Sequence, residues 1–188
     1  MAYLLSTLST INWLDPFFLS QCLIAVAIIF DFFSFQFKER RKIVACLFVA
    51  GLLITAHFIL LEKWTATALM VIATLRYLSS IVTTSKKMMW FFSACSVIAT
   101  SITFSGLISI ISCIGTLFQT RASFCESDKQ LRQLMIVGTS FWLIHNYMVG
   151  SPAAVVMELL FISSNLIGYY RHYIRPTKAL INTRKDVI

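Results

Sequence analysis

The sequence is short of charge, and unevenly so. Eight acidic and sixteen basic side chains leave 13% of the 188 residues charged. From Met88 to Thr120 there is no charge at all. A soluble domain carries about 45–50% apolar residues, whereas this chain has 58% and a mean hydropathy of +0.80. So small a domain has too little interior to hide that excess, which leaves the bilayer as its solvent. Paired cysteine motifs are missing too. The five cysteines form no C-x-x-C, and four of them lie inside apolar runs. They read as small packing residues, not as disulfides or metal ligands. No H-E-x-x-H, G-x-S-x-G or cysteine-nucleophile setting occurs, so neither an enzyme nor a cofactor is expected. Met1 to Leu14 lacks a basic leader region and a small-residue cleavage site, so insertion is expected to begin with the first membrane helix. The net charge of +8 does not imply nucleic acid. The basic residues sit at the ends of apolar runs, where they set topology and meet lipid headgroups.

What is present is a series of apolar runs. Residues 1–15 read as an interfacial segment with Trp13 at headgroup level. Asp15-Pro16 is a helix start, a capping side chain followed by proline at the first helical position. Helix 1 is expected over 16–37, helix 2 over 43–61 and helix 3 over 64–85. The uncharged stretch is too long for one span of about 20 residues and suits two short ones. It is therefore divided at Ser105-Gly106 into helix 4 over 88–104 and helix 5 over 107–120. A polar loop is expected over 121–133, helix 6 over 134–149, a turn at Gly150-Ser151-Pro152, helix 7 over 152–173, and a basic tail over 174–188. Trp64, Trp90 and Trp142, like Trp13, read as interfacial anchors.

Fourteen of the sixteen Lys and Arg residues fall on one side of this scheme; Lys63 lies opposite and Arg76 inside helix 3. The positive-inside rule then puts the amino terminus outside and the carboxyl terminus in the cytoplasm. Seven helices invite a search for duplication. Placing His57 on His145 aligns helices 2–3 with helices 6–7 without a gap. The expected architecture is an all-α membrane protein with two triple-helix bundles, 16–85 and 107–173, joined by a linker helix over 88–104 (3+1+3).

Trp142-Leu143-Ile144-His145-Asn146, Gly150-Ser151, Glu158, Asn165 and Arg76 carry a resemblance to the YgjV-type family of bacterial inner membrane proteins. It runs from the end of helix 1 to the end of helix 7. The chain departs from the family in the helix 4–5 connection and in the loop after helix 5. The resemblance implies a multi-pass protein of the bacterial inner membrane, distantly related to the PQ-loop, SWEET and KDEL-receptor group. No proline-glutamine pair occurs here.

A charge in the hydrocarbon core costs at least about 2.5–3.5 kcal/mol, so such residues face inward and have partners. At about 1.5 Å rise per residue, Arg76, Asn165 and Asp31 lie about 18–22 Å deep, near one level. With Tyr77 they form the expected solute site, where Arg76 would meet an anionic group such as a carboxylate. His145 and Glu158 sit higher, on adjacent antiparallel helices. A histidine that titrates near neutral pH beside a carboxylate forms a proton-binding pair. Asn146, His57 and Trp142 are expected in support. The bland reading of the same residues is an Asp31–Arg76 ion pair that fixes helix register, with a His145–Glu158 clasp. The functional reading is a carrier of a small polar or anionic solute, with or without proton coupling. The alternative is a non-transporting receptor or interaction protein.

Overall fold

The computed structural model describes residues 15–34, 40–125 and 127–174. They form seven α-helices: α1 (Pro16–Ser34), α2 (Arg40–Leu60), α3 (Trp64–Val82), α4 (Lys86–Ile102), α5 (Leu107–Ser123), α6 (Asp128–Val149) and α7 (Pro152–Tyr169). A π-helical turn, Tyr170–Ile174, continues α7. The interfacial segment with Trp13, the end of helix 1 beyond residue 34 and the basic tail from 175 lie outside the described residues.

The boundaries have local causes. Pro16 and Pro152 open α1 and α7 with the fixed φ of a first helical residue. The hairpin expected at Ser105-Gly106 is present, with Gly106 before α5 at φ 97°. α6 begins at Asp128, not at Leu134, so most of the expected polar loop is helix. Polarity misled there: Ser127 Oγ accepts from the Gln130 amide at 3.5 Å, and an acidic first residue suits the positive end of the helix dipole. At the other end of that helix, Gly150 takes the left-handed conformation at φ 75° and closes the last turn.

The helices close into a ring. α1 packs on α2, α2 on α3, α3 on α5, α5 on α6, α6 on α7, and α7 returns to α1. α4 stays outside and packs on α3 and α5. Two crossings depend on missing side chains. A Cβ on Gly138 would lie 2.9 Å from the Gly115 carbonyl oxygen, where α5 meets α6. A Cβ on Gly51 would collide with Thr74, where α2 meets α3.

The distribution of polarity is inverted relative to a soluble protein. Val82, Ile102, Leu107 and Ile167 are 87, 79, 62 and 67% exposed, while Arg76, His57 and Asn146 are at most 1% exposed. Apolar surface outside and hydrogen-bonded polar groups inside is the arrangement that lipid selects. α3 has both the length and the hydropathy of a membrane span; 16–31, 45–60, 107–123 and 152–167 are shorter apolar helical stretches.

Candidate functional site

A cavity of about 70 Å³ lies between the ring helices. That is room for several waters or one small solute, far below the roughly 300–1,000 Å³ of a drug-sized pocket. All six ring helices line it, and α4 supplies none of its lining residues. α2 and α6 each present one face, Leu47, Gly51, Ile54 and Phe58 from the first and Met135, Thr139, Trp142 and Asn146 from the second. Both sets step by four, three and four residues, the spacing that keeps side chains on one side of a helix.

The cavity's polar groups come from five helices: Asp31 of α1, Tyr77 of α3, Gln119 of α5, Thr139 and Asn146 of α6, and Glu158 of α7. Both carboxylates therefore border one space, and Glu158 lies within electrostatic reach of Asp31. Tyr77 feels both acids and Arg76. Thr139 is 1% exposed and its hydroxyl has no hydrogen-bond partner. A buried hydroxyl without a partner costs about 1–3 kcal/mol, a cost the fold carries beside the cavity that Thr139 lines.

The expected His145–Glu158 contact is indirect. The His145 Nδ1–H donates to Asn146 Oδ1 at 3.2 Å, and Asn146 Nδ2 donates to Glu158 Oε1 at 3.3 Å. A carboxamide has no titrating proton to pass, so Asn146 orients Glu158 and His145 orients Asn146. Trp142 is 3% exposed, not an interfacial anchor. Its ring packs against Phe58 and His145, with centroids 5.7 and 5.1 Å apart. Trp64 and Trp90 are exposed at 59 and 69%, as interfacial anchors would be.

Arg76 and Asn165 do not line the cavity. Asn165 Nδ2 donates to the Phe161 carbonyl of its own helix at 3.0 Å. Arg76 points into the α3–α5 seam, where Nη1 donates to Thr120 Oγ1 at 2.8 Å and to the Thr116 carbonyl at 3.4 Å. Its Nε and Nη2 are buried without a hydrogen bond. The Tyr77 ring centroid lies 5.1 Å from its guanidinium carbon, a cation–π distance. Tyr77 lines the cavity, and Arg76 beside it does not.

His57 belongs to a different network. Its Nδ1–H donates to the Ser20 carbonyl at 2.9 Å, and Nε2 lies 3.3 Å from Ser151 Oγ. Gln21 Oε1 accepts the Ala153 amide at 3.1 Å, so a side chain of α1 caps the amino end of α7. Gln21, Gln119 and Thr139 were not singled out from the sequence, and Ser151 only as part of a turn and of the family resemblance.

Comparison with known proteins gives two findings. A family model described as "Imp-YgjV: Bacterial inner membrane protein" matches residues 18–175. The inner membrane protein YgjV of Escherichia coli (strain K12) is 26% identical over 164 residues, covering 84% of this chain and 88% of that protein. No solved structure matches the chain.

Proposed function

The chain belongs to the Imp-YgjV family of bacterial inner membrane proteins, and from that premise we propose that it carries a small polar solute across that membrane. One observation carries the reading: six helices line a mostly apolar cavity into which two carboxylates, Asp31 and Glu158, are set, and ionisable groups inside a membrane are costly enough to mark function.

The 3+1+3 arrangement is part of the proposal, and the spacing between His57 and His145 supports it. The same offset of 88 carries α2 onto residues 128–148 and α3 onto 152–170, against α6 and α7 as observed. It brings Glu62, at φ 57°, onto Gly150, at φ 75°, so both turns use a left-handed residue at the same place. It pairs Leu47, Gly51, Ile54 and Phe58 with Met135, Thr139, Trp142 and Asn146, and Asp31 with Gln119, all of them around the cavity. α4 touches α3 and α5, the helices a linker would join. Seven spans with the amino terminus outside follow from the basic residues. Rocking of two such bundles about a central site is a known route to alternating access.

The solute is better matched as neutral or cationic than as anionic, because both carboxylates border the cavity and Arg76 does not. No chemical step is assigned. A receptor built on the same fold would bind without flux, and the test separates the two. Purified protein in liposomes is screened for counterflow of labelled amines, amino acids and sugars. At least one is expected to exchange, with Glu158→Gln cutting the rate by tenfold or more. Absence of exchange across the panel, with protein correctly folded and inserted, would sink the carrier reading and leave the receptor.

A further inference from the structure

We propose that Phe58 and Trp142 form a gate across the outer end of the cavity, and that the structure is the state open toward the cytoplasm. The purpose of such a gate rests on the carrier reading. In the ring order α2 stands opposite α6, and the two are not neighbours. Their side chains nevertheless meet across the middle. The Phe58 ring lies 5.7 Å from Trp142 and 5.6 Å from His145, centroid to centroid. Phe58 stands two residues before Leu60, where α2 ends, and Trp142 seven before Val149, where α6 ends. Both helix ends face outward by the positive-inside rule. Phe58 and Trp142 line the cavity and are 1 and 3% exposed. Large rings in contact across a ring of helices close it by packing.

Exposure along the cavity wall is graded in the same direction. On α2, Gly51, Ile54 and Phe58 are buried, and Leu47, nearest the inner end, is partly exposed. On α6, Thr139, Trp142 and Asn146 are buried and Met135 is partly exposed. On α7, Ala154, Met157 and Glu158 are buried and Phe161 is partly exposed. On α1, Ile24 is buried and Asp31 is partly exposed. On α2, α6 and α7 the compared residues share one helix face, so the change runs along the axis and not around it. α3 is the exception, with Met70 and Tyr77 both partly exposed. Polar bonds that tie α1 and α2 to the start of α7 sit at the closed end: His57 to Ser151 at 3.3 Å, and Gln21 to Ser151 and Ala153 at 3.3 and 3.1 Å. Farther in, Arg76 bonds α3 to Thr120 of α5 at 2.8 Å without lining the cavity. A seam there holds the two halves together while the outer contacts part, which makes it the pivot for opening outward.

The test places single cysteines in an otherwise cysteine-free full chain. A membrane-impermeant methanethiosulfonate is applied to right-side-out and to inside-out vesicles, and Glu62→Cys marks the gated side. Met135→Cys should react from the opposite side, and at least about tenfold more slowly from the Glu62 side, because each rate scales with the fraction of molecules open that way. Ile54→Cys, deeper than Phe58 on the same helix, should be protected from the Glu62 side. Adding Phe58→Ala should speed its reaction from that side by about tenfold or more and leave the Met135→Cys rate from the other side unchanged. If Phe58→Ala fails to fold, Phe58→Leu keeps an apolar side chain without the ring and should give a severalfold rise. Equal reaction of Met135→Cys from both sides overturns the proposal. So does an Ile54→Cys rate that neither Phe58 variant moves, or one that rises equally from both sides, as loosened packing would give. The expected pattern in a protein that exchanges no solute would sink the carrier reading alone. Solute exchange without the pattern would sink the gate alone.

Discussion

Arg76 is the largest fully buried side chain among the described residues, and two of its three guanidinium nitrogens have no hydrogen bond. Its one short bond goes to Thr120. Thr120→Val keeps the shape and removes that acceptor, so it should lower stability by about 1.5–3 kcal/mol, read as a drop in melting temperature with the cavity untouched. Asp31, Tyr77 and Glu158 were legible because polar groups stand out in apolar runs. Counting residues along a helix gives depth and not azimuth, and that is why it could not tell that Arg76 and Asn165 are not among the residues that line the cavity. Thr139 and Gln119 were hidden for the opposite reason: neutral polar residues are common glue between membrane helices, and nothing local marks these two. The 88-residue offset would have found Gln119, since it carries Asp31 directly onto it.

At the level of elements, hydropathy found each of the seven described helices and misjudged mainly one end. The start of α6 was lost because a polar first turn reads as loop, although Ser127 and Asp128 are a helix start. The hairpin between α4 and α5 was recoverable from length alone, because 33 uncharged residues cannot be one span of about 20. Packing between elements was less visible. The α5–α6 crossing depends on two glycines that meet backbone to side, and Gly138→Ala forces a Cβ to within 2.9 Å of a carbonyl oxygen. We expect a loss of about 1–3 kcal/mol, measured as thermal stability in detergent. Gly106→Ala meets no atom within 4 Å, but its φ of 97° strains any side chain. A comparable loss there would therefore report backbone strain and not packing.

For the whole molecule, the distribution of Lys and Arg predicts which turns face which compartment. Cys125, between α5 and α6, should react with a membrane-impermeant thiol reagent only once the inner side is opened. Glu62→Cys in a cysteine-free background should react from outside in intact cells. The reverse pattern would invert the topology. The ring itself was not legible. Sequence periodicity says that a helix has an inner face, but not which helix it will meet, and the closing contact joins residues at opposite ends of the chain.

That closure has a consequence for how the protein is made. Gln21 waits for Ala153, 132 residues downstream. At about 5–20 residues per second, the ribosome needs roughly 7–26 s to deliver that partner. For that interval the first helix sits in the membrane with an unmatched amide and an acid, Asp31, whose enclosing wall does not yet exist. The insertion machinery, or the half-built α1–α3 bundle, must shelter both until α7 arrives. A nascent chain arrested before α7 should be a substrate for membrane quality control even though six of its helices are in place.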